Sequence, residues 1–130
     1  MQTFAGGCHC GSVRFEIELP GELVVHRCNC SICQKSGYIH LIVPSERFTL
    51  LSGQKNLVEY RFHTGVARHL FCGTCGIKSY YVPRSHPDSY SVNLNCVELS
   101  DDVRVEIREF DGQNWSKNAA KITEGGDDPD

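Results

Sequence analysis

Residues 7–19 read GCHCGSVRFEIEL, and two signals meet in them. In 13–19, apolar Val13, Phe15, Ile17 and Leu19 alternate with charged Arg14, Glu16 and Glu18. Successive side chains of a strand point to opposite faces, so this spacing predicts a strand with one face buried. Pro20-Gly21 stops it. The first half sets Cys8 and Cys10 between glycines. In an extended segment residues two apart face the same side, so both sulfurs can point at one ion. Taken alone, the pair reads equally as two small buried side chains.

The alternation recurs outward from this stretch. Residues 23–28 predict a second strand, and 48–51 a further one ending at Ser52-Gly53. Residues 38–43 form a nearly continuous apolar run, suited to burial on both faces. Residues 57–63 and 67–71, divided by Thr64-Gly65, predict a hairpin leading into Cys72. Residues 77–82, 90–95 and 103–107 predict three more strands. Only 114–122, NWSKNAAKI, reads as helical. The fold class expected is therefore mainly β, in small coiled antiparallel sheets with a short C-terminal helix.

The chain has 130 residues, which suits one domain with a core of its own. We place that domain at 1–122 and a solvated, disordered tail at 123–130, TEGGDDPD. The tail holds four of the 16 acidic residues, leaving 12 against 13 basic ones in the remainder. No basic face predicts a nucleic-acid partner. No apolar run has membrane-spanning length, and the N-terminus lacks a secretory pattern, so a cytoplasmic setting is expected. Thiols there are kept reduced, and eight close-spaced cysteines read as metal ligands before disulfides.

Seven of the eight fall into three clusters: Cys8-x-Cys10, Cys28-x-Cys30-x-x-Cys33 and Cys72-x-x-Cys75. The third, FCGTCG, fits a metal-binding turn, with Gly73 and Gly76 letting the backbone curl. A redox pair is the alternative, though it expects a βαβ context absent here. Cys8, Cys10, Cys72 and Cys75 together make a closed structural Cys₄ zinc set. Cys28, Cys30 and Cys33 then remain, three ligands with an open fourth position, as in catalytic zinc sites. Cys96 or one of His26, His40, His63, His69 and His86 could still close that set. Three thiolates leave zinc a weak Lewis acid for making hydroxide. The same set suits holding an added thiol as its thiolate, the nucleophilic form.

The order of these clusters, with GGCHCGSVRFEI, CNCSICQKSG, FCGTCGIKSYYVPRSHP and SVNLNC, resembles the glutathione-dependent formaldehyde-activating enzyme family, which includes centromere protein V. HLIVPSERFTLLSG resembles the centromere protein V branch. The resemblance covers roughly residues 4–110. It implies a β-tent held by two zinc ions, with Cys8, Cys10, Cys72 and Cys75 structural and Cys28, Cys30 and Cys33 catalytic. It also implies a carbon–sulfur lyase that forms S-hydroxymethylglutathione from glutathione and formaldehyde. Arg84, in the family-like PRSHP stretch, is the first candidate to meet a glutathione carboxylate; Arg68 and Lys35 follow. Cys96 reads as a small buried hydrophobe. Two rival readings remain: a non-catalytic zinc-stabilised binding module or thiol and formaldehyde carrier, and a redox or metal-buffer protein.

Overall fold

The computed structural model describes residues 1–62, 65–83, 86 and 88–111. In chain order they form β1 (Gln2–Gly7), β2 (Arg14–Leu19), β3 (Glu22–Cys28), α1 (Ser31–Ser36), β4 (Ile39–Pro44) and β5 (Phe48–Ser52). Then follow β6 (Leu57–Tyr60), β7 (Arg68–Cys72), β8 (Tyr80–Val82), β9 (Ser89–Asn93) and β10 (Arg104–Phe110). One sheet has the order β1-β2-β5; the other runs β10-β3-β4-β9-β8-β7-β6. The mainly β architecture expected from the alternation is the one observed.

The alternation in β2 does what its spacing implies: Phe15, Ile17 and Leu19 are buried and Glu16 and Glu18 exposed. The apolar run gives β4, an interior strand between β3 and β9. The expected hairpin is β6 against β7, with Leu57 opposite Cys72 and Tyr60 opposite His69. Phe4, Val13, Phe15, Ile17, Leu23, Val25, Leu41, Val43 and Val92 form the core. Each such side chain contributes roughly 1.5–3 kcal/mol when fully buried. Phe48 stacks on Phe15 and Tyr90 at centroid distances of 5.2 and 4.3 Å, fastening β5 over the core.

Three features depart from the sequence expectations. The strand pairs are antiparallel except β10 with β3, which is parallel, with Arg104 beside Glu22 and Phe110 beside Cys28. A parallel neighbour is reached only by a long connection, and here the whole of β4 to β9 lies between the pair. β1 is a strand although QTFAGG shows little alternation, because it pairs along β2 from Gln2–Leu19 to Gly7–Arg14. A helix, α1, lies inside the second cysteine cluster, ending at Gly37 with φ 67°. The C-terminal helix expected at 114–122 and the tail at 123–130 lie outside the described residues.

Candidate metal centres

The β1–β2 turn carries Cys8 and Cys10; Cys72 ends β7 and Cys75 lies in the turn that follows. Their four sulfurs all lie within 4.8 Å of one another. Cys8 and Cys10 are 3.6 Å apart, and Cys10 and Cys72 3.7 Å. A tetrahedron with zinc–sulfur bonds of about 2.3 Å has edges of about 3.8 Å, so the donor set fits zinc. The convergence comes from a turn rather than from strand alternation: extended residues two apart would stand about 6.6 Å apart along the chain. Gly76, at φ 76°, closes the other turn, and its amide donates to the Cys72 carbonyl. Gly73 serves differently: a Cβ there would stand 3.0 Å from the Asn56 carbonyl oxygen.

Donors surround these sulfurs as anions require. The Val13 amide donates to Cys8 Sγ at 3.3 Å. Thr74 and Cys75 amides point at Cys72 Sγ, and Asn56 Nδ2 donates to it at 3.4 Å. Ser12 Oγ lies 3.4 Å from the same sulfur, and its hydroxyl is the main influence holding the Cys72 thiol well below its ordinary pKa. At Cys10 the Ser12 groups favour the thiolate, yet desolvation and the Cys8 and Cys72 sulfurs leave it raised.

The second set follows β3. Cys28 ends that strand, Cys30 caps α1 and Cys33 sits in its first turn. All three are buried, and their sulfurs lie within 4.8 Å of one another. Crowded sulfurs cannot all ionise unaided. Hydrogen bonds from Cys28 and Cys33 pull Cys30 far down, while Cys30 pushes Cys28 up, and Cys28 and Cys30 push Cys33 up. A divalent cation would relieve that conflict, so these donors too fit a thiolate-bound metal.

Among the described residues no histidine, cysteine or carboxylate joins the three sulfurs within that distance. Cys96 lies toward the other centre: burial, with Cys8 and Cys75 nearby, pushes its thiol up to about 11. His69 stacks on Tyr81 at 4.7 Å. His63 lies outside the described residues. His40 contacts the set at its edge, with Nε2 3.0 Å from Cys33 Sγ. Burial, then the Lys78 charge, holds its imidazole well below the ordinary histidine pKa.

Sequence reasoning did not find the layer behind Cys33. His40, Tyr38, Tyr81 and Ser91 are buried together, and Lys78 Nζ lies 4.0 Å from the Tyr81 ring centre. His40, Tyr81 and Ser91 come from β4, β8 and β9, while Tyr38 and Lys78 lie just before β4 and β8, so strand pairing is what brings them together. The one available signal was His40, a histidine in the otherwise apolar β4.

A cleft of about 440 Å³ opens beside the set, lined by Arg27, Cys28, Cys33, Gln34, Tyr38 and Glu109 among others. A second, of about 380 Å³, runs past Ser31, Ile32, Lys35, Tyr60 and Phe62. Of the expected carboxylate partners, Lys35 lines the second cleft. Arg68 instead pairs with Glu59 at 2.6 Å on the β6–β7 hairpin. Arg84 lies outside the described residues.

A β-sheet protein with two cysteine clusters able to hold metal ions is the class that this fold and these sites define. The chain belongs to the glutathione-dependent formaldehyde-activating enzyme family, whose pattern matches residues 3–113. It is 52% identical over 31 residues to a Halomonas elongata protein named, provisionally, a glutathione-dependent formaldehyde-activating enzyme. That match covers 24% of this chain and spans about a fifth of the relative, 20%. A crystal structure of a Rhodobacter sphaeroides protein superposes with a TM-score of 0.68 at 36% identity, over 78% of this chain and 99% of that one. Among the described residues no helix is long and apolar enough to cross a membrane.

Proposed function

We propose that Cys28, Cys30 and Cys33 hold a zinc ion that accepts the thiol of glutathione or a similar small thiol. There the thiol adds to formaldehyde, or the adduct is cleaved, making the protein a carbon–sulfur lyase of the S-hydroxymethylglutathione synthase type. The observation that carries this reading is the set of three buried sulfurs with no fourth ligand among the described residues. Zinc bound there would supply the positive charge that keeps an incoming thiol in its thiolate form. In the addition a carbon–sulfur bond forms, the carbonyl π bond breaks, and the thiol proton ends on the former carbonyl oxygen.

The chain's own part is placement. α1 and β3 fix the three sulfurs, and the adjoining cleft leaves room for a peptide-sized thiol. Holding thiol and aldehyde together offers up to about 7–11 kcal/mol in the best-oriented reactions. Cys8, Cys10, Cys72 and Cys75 form a closed structural zinc centre, and Arg84 binds a glutathione carboxylate. The protein works in the cytoplasm as one domain over 1–122, without a nucleic-acid partner.

Calorimetry of the zinc-loaded protein with glutathione, beside stopped-flow measurement of formaldehyde loss, tests the reading. We expect binding in the wild type, none in Cys28→Ser, and adduct formation faster than the uncatalysed reaction. Binding without acceleration would define a carrier, and no binding a structural module.

A further inference from the structure

The strongest feature outside the sulfur sets is the contact of His40 with Cys33. His40 sits on β4, opposite His26 of β3 and Asn93 of β9, and is 1% exposed. Its two ring nitrogens meet different chemistry. Nε2 faces Cys33 Sγ at 3.0 Å. Nδ1 faces two hydroxyls, Ser91 Oγ at 3.0 Å and Tyr81 Oη at 3.2 Å. A metal-bound thiolate has no proton to give and can only accept. Hydroxyls can donate to an unprotonated Nδ1. The partners therefore select the tautomer with its proton on Nε2.

The surroundings lock that ring in place. Tyr81 and Tyr38 pack against it at centroid distances of 5.7 and 4.6 Å. The Tyr38 hydroxyl donates to the Ser91 carbonyl at 2.6 Å, fixing the strand that carries the Ser91 hydroxyl.

We propose that His40 is a positioning residue for the Cys28–Cys30–Cys33 centre, donating from Nε2 to the Cys33 sulfur while Ser91 and Tyr81 fix its tautomer. The inference rests on that set holding a metal, as proposed above. A hydrogen bond to a ligand sulfur withdraws electron density from it, so the held metal becomes a better acceptor for an added thiol. It also keeps the imidazole off the metal, because the nitrogen that could ligate is engaged with a ligand instead.

The experiment uses cobalt in place of zinc in the wild type, His40→Leu and His40→Gln. Leucine removes the donor; glutamine can restore one. His40→Leu should move the sulfur-to-cobalt charge-transfer band to lower energy and release metal from this one centre at least several-fold faster. His40→Gln should lie near the wild type in both. An unshifted band in a His40→Leu protein that holds two ions would overturn this inference and leave the functional reading standing. A wild type that binds one ion would overturn both. Nitrogen-15 NMR of histidine-labelled, zinc-loaded wild type needs no substitution. It should show His40 protonated on Nε2; protonation on Nδ1, with Nε2 bound to metal, would overturn the assignment even if the variants fail to fold.

Discussion

Gly7 and Val13 approach so closely that a Cβ on Gly7 would stand 2.1 Å from the Val13 carbonyl oxygen. Gly7 has φ 155°, and the next amide, Cys8, donates to that same carbonyl at 3.0 Å. Glycine is thus required by the turn that presents Cys8 and Cys10. Gly7→Ala should cost about 2–4 kcal/mol through strain and displacement. Urea denaturation, with metal analysis of the folded fraction, should show lower stability and weaker retention of one ion. Unchanged stability would mean that the turn opens freely.

The two sulfur sets should respond differently to loss of one ligand. Cys72 lies within the set that ties the β1–β2 turn to the end of β7. Cys72→Ser should cost several kcal/mol of the about 5–15 kcal/mol typical of a domain. Cys28→Ser removes a ligand from a peripheral cluster built of Cys28, Cys30, Cys33 and Phe110. It should keep its thermal midpoint within about 4 °C of the wild type while losing one metal ion and thiol binding. Thermal melts with metal quantification check both; equal destabilisation would contradict the division of labour.

Tyr80 gives an alkaline prediction independent of the metals. It is buried between the sheets, and burial pushes its phenol up to about 12. The folded-state pKa lies above the unfolded value of about 10, so the unfolded chain loses its proton first. The stabilisation is complete below pH 10 and is lost as pH rises from about 10 towards 12, to a total of roughly 2–3 kcal/mol. Tyr80→Phe should flatten that part of the stability–pH curve. Denaturant midpoints measured across this range would contradict the account if the two curves stayed parallel.

The parts of the fold that could be read in advance were those whose signals are local. VRFEIEL gave β2 because its charges and apolar groups alternate, and Leu57 to Cys72 gave a hairpin because Thr64-Gly65 divides two strand-like segments. The three sulfur clusters were visible in their spacing alone. β1 was hidden because its pairing is supplied by β2, and α1 because six residues are too few to show a period. The parallel pairing of β10 and the layer of His40, Tyr81 and Ser91 depend on strands far apart in the chain. His40 stood out only as a histidine inside an apolar run, and nothing local named its partners.

The central claim, a thiol-accepting metal at Cys28, Cys30 and Cys33, is tested most directly by counting sulfurs on cobalt. The protein offers four cysteines at one centre and three at the other. Charge-transfer intensity in the cobalt-loaded protein should correspond to seven thiolates and rise to eight when glutathione is added. Eight before glutathione, or seven unchanged after it, would contradict the claim.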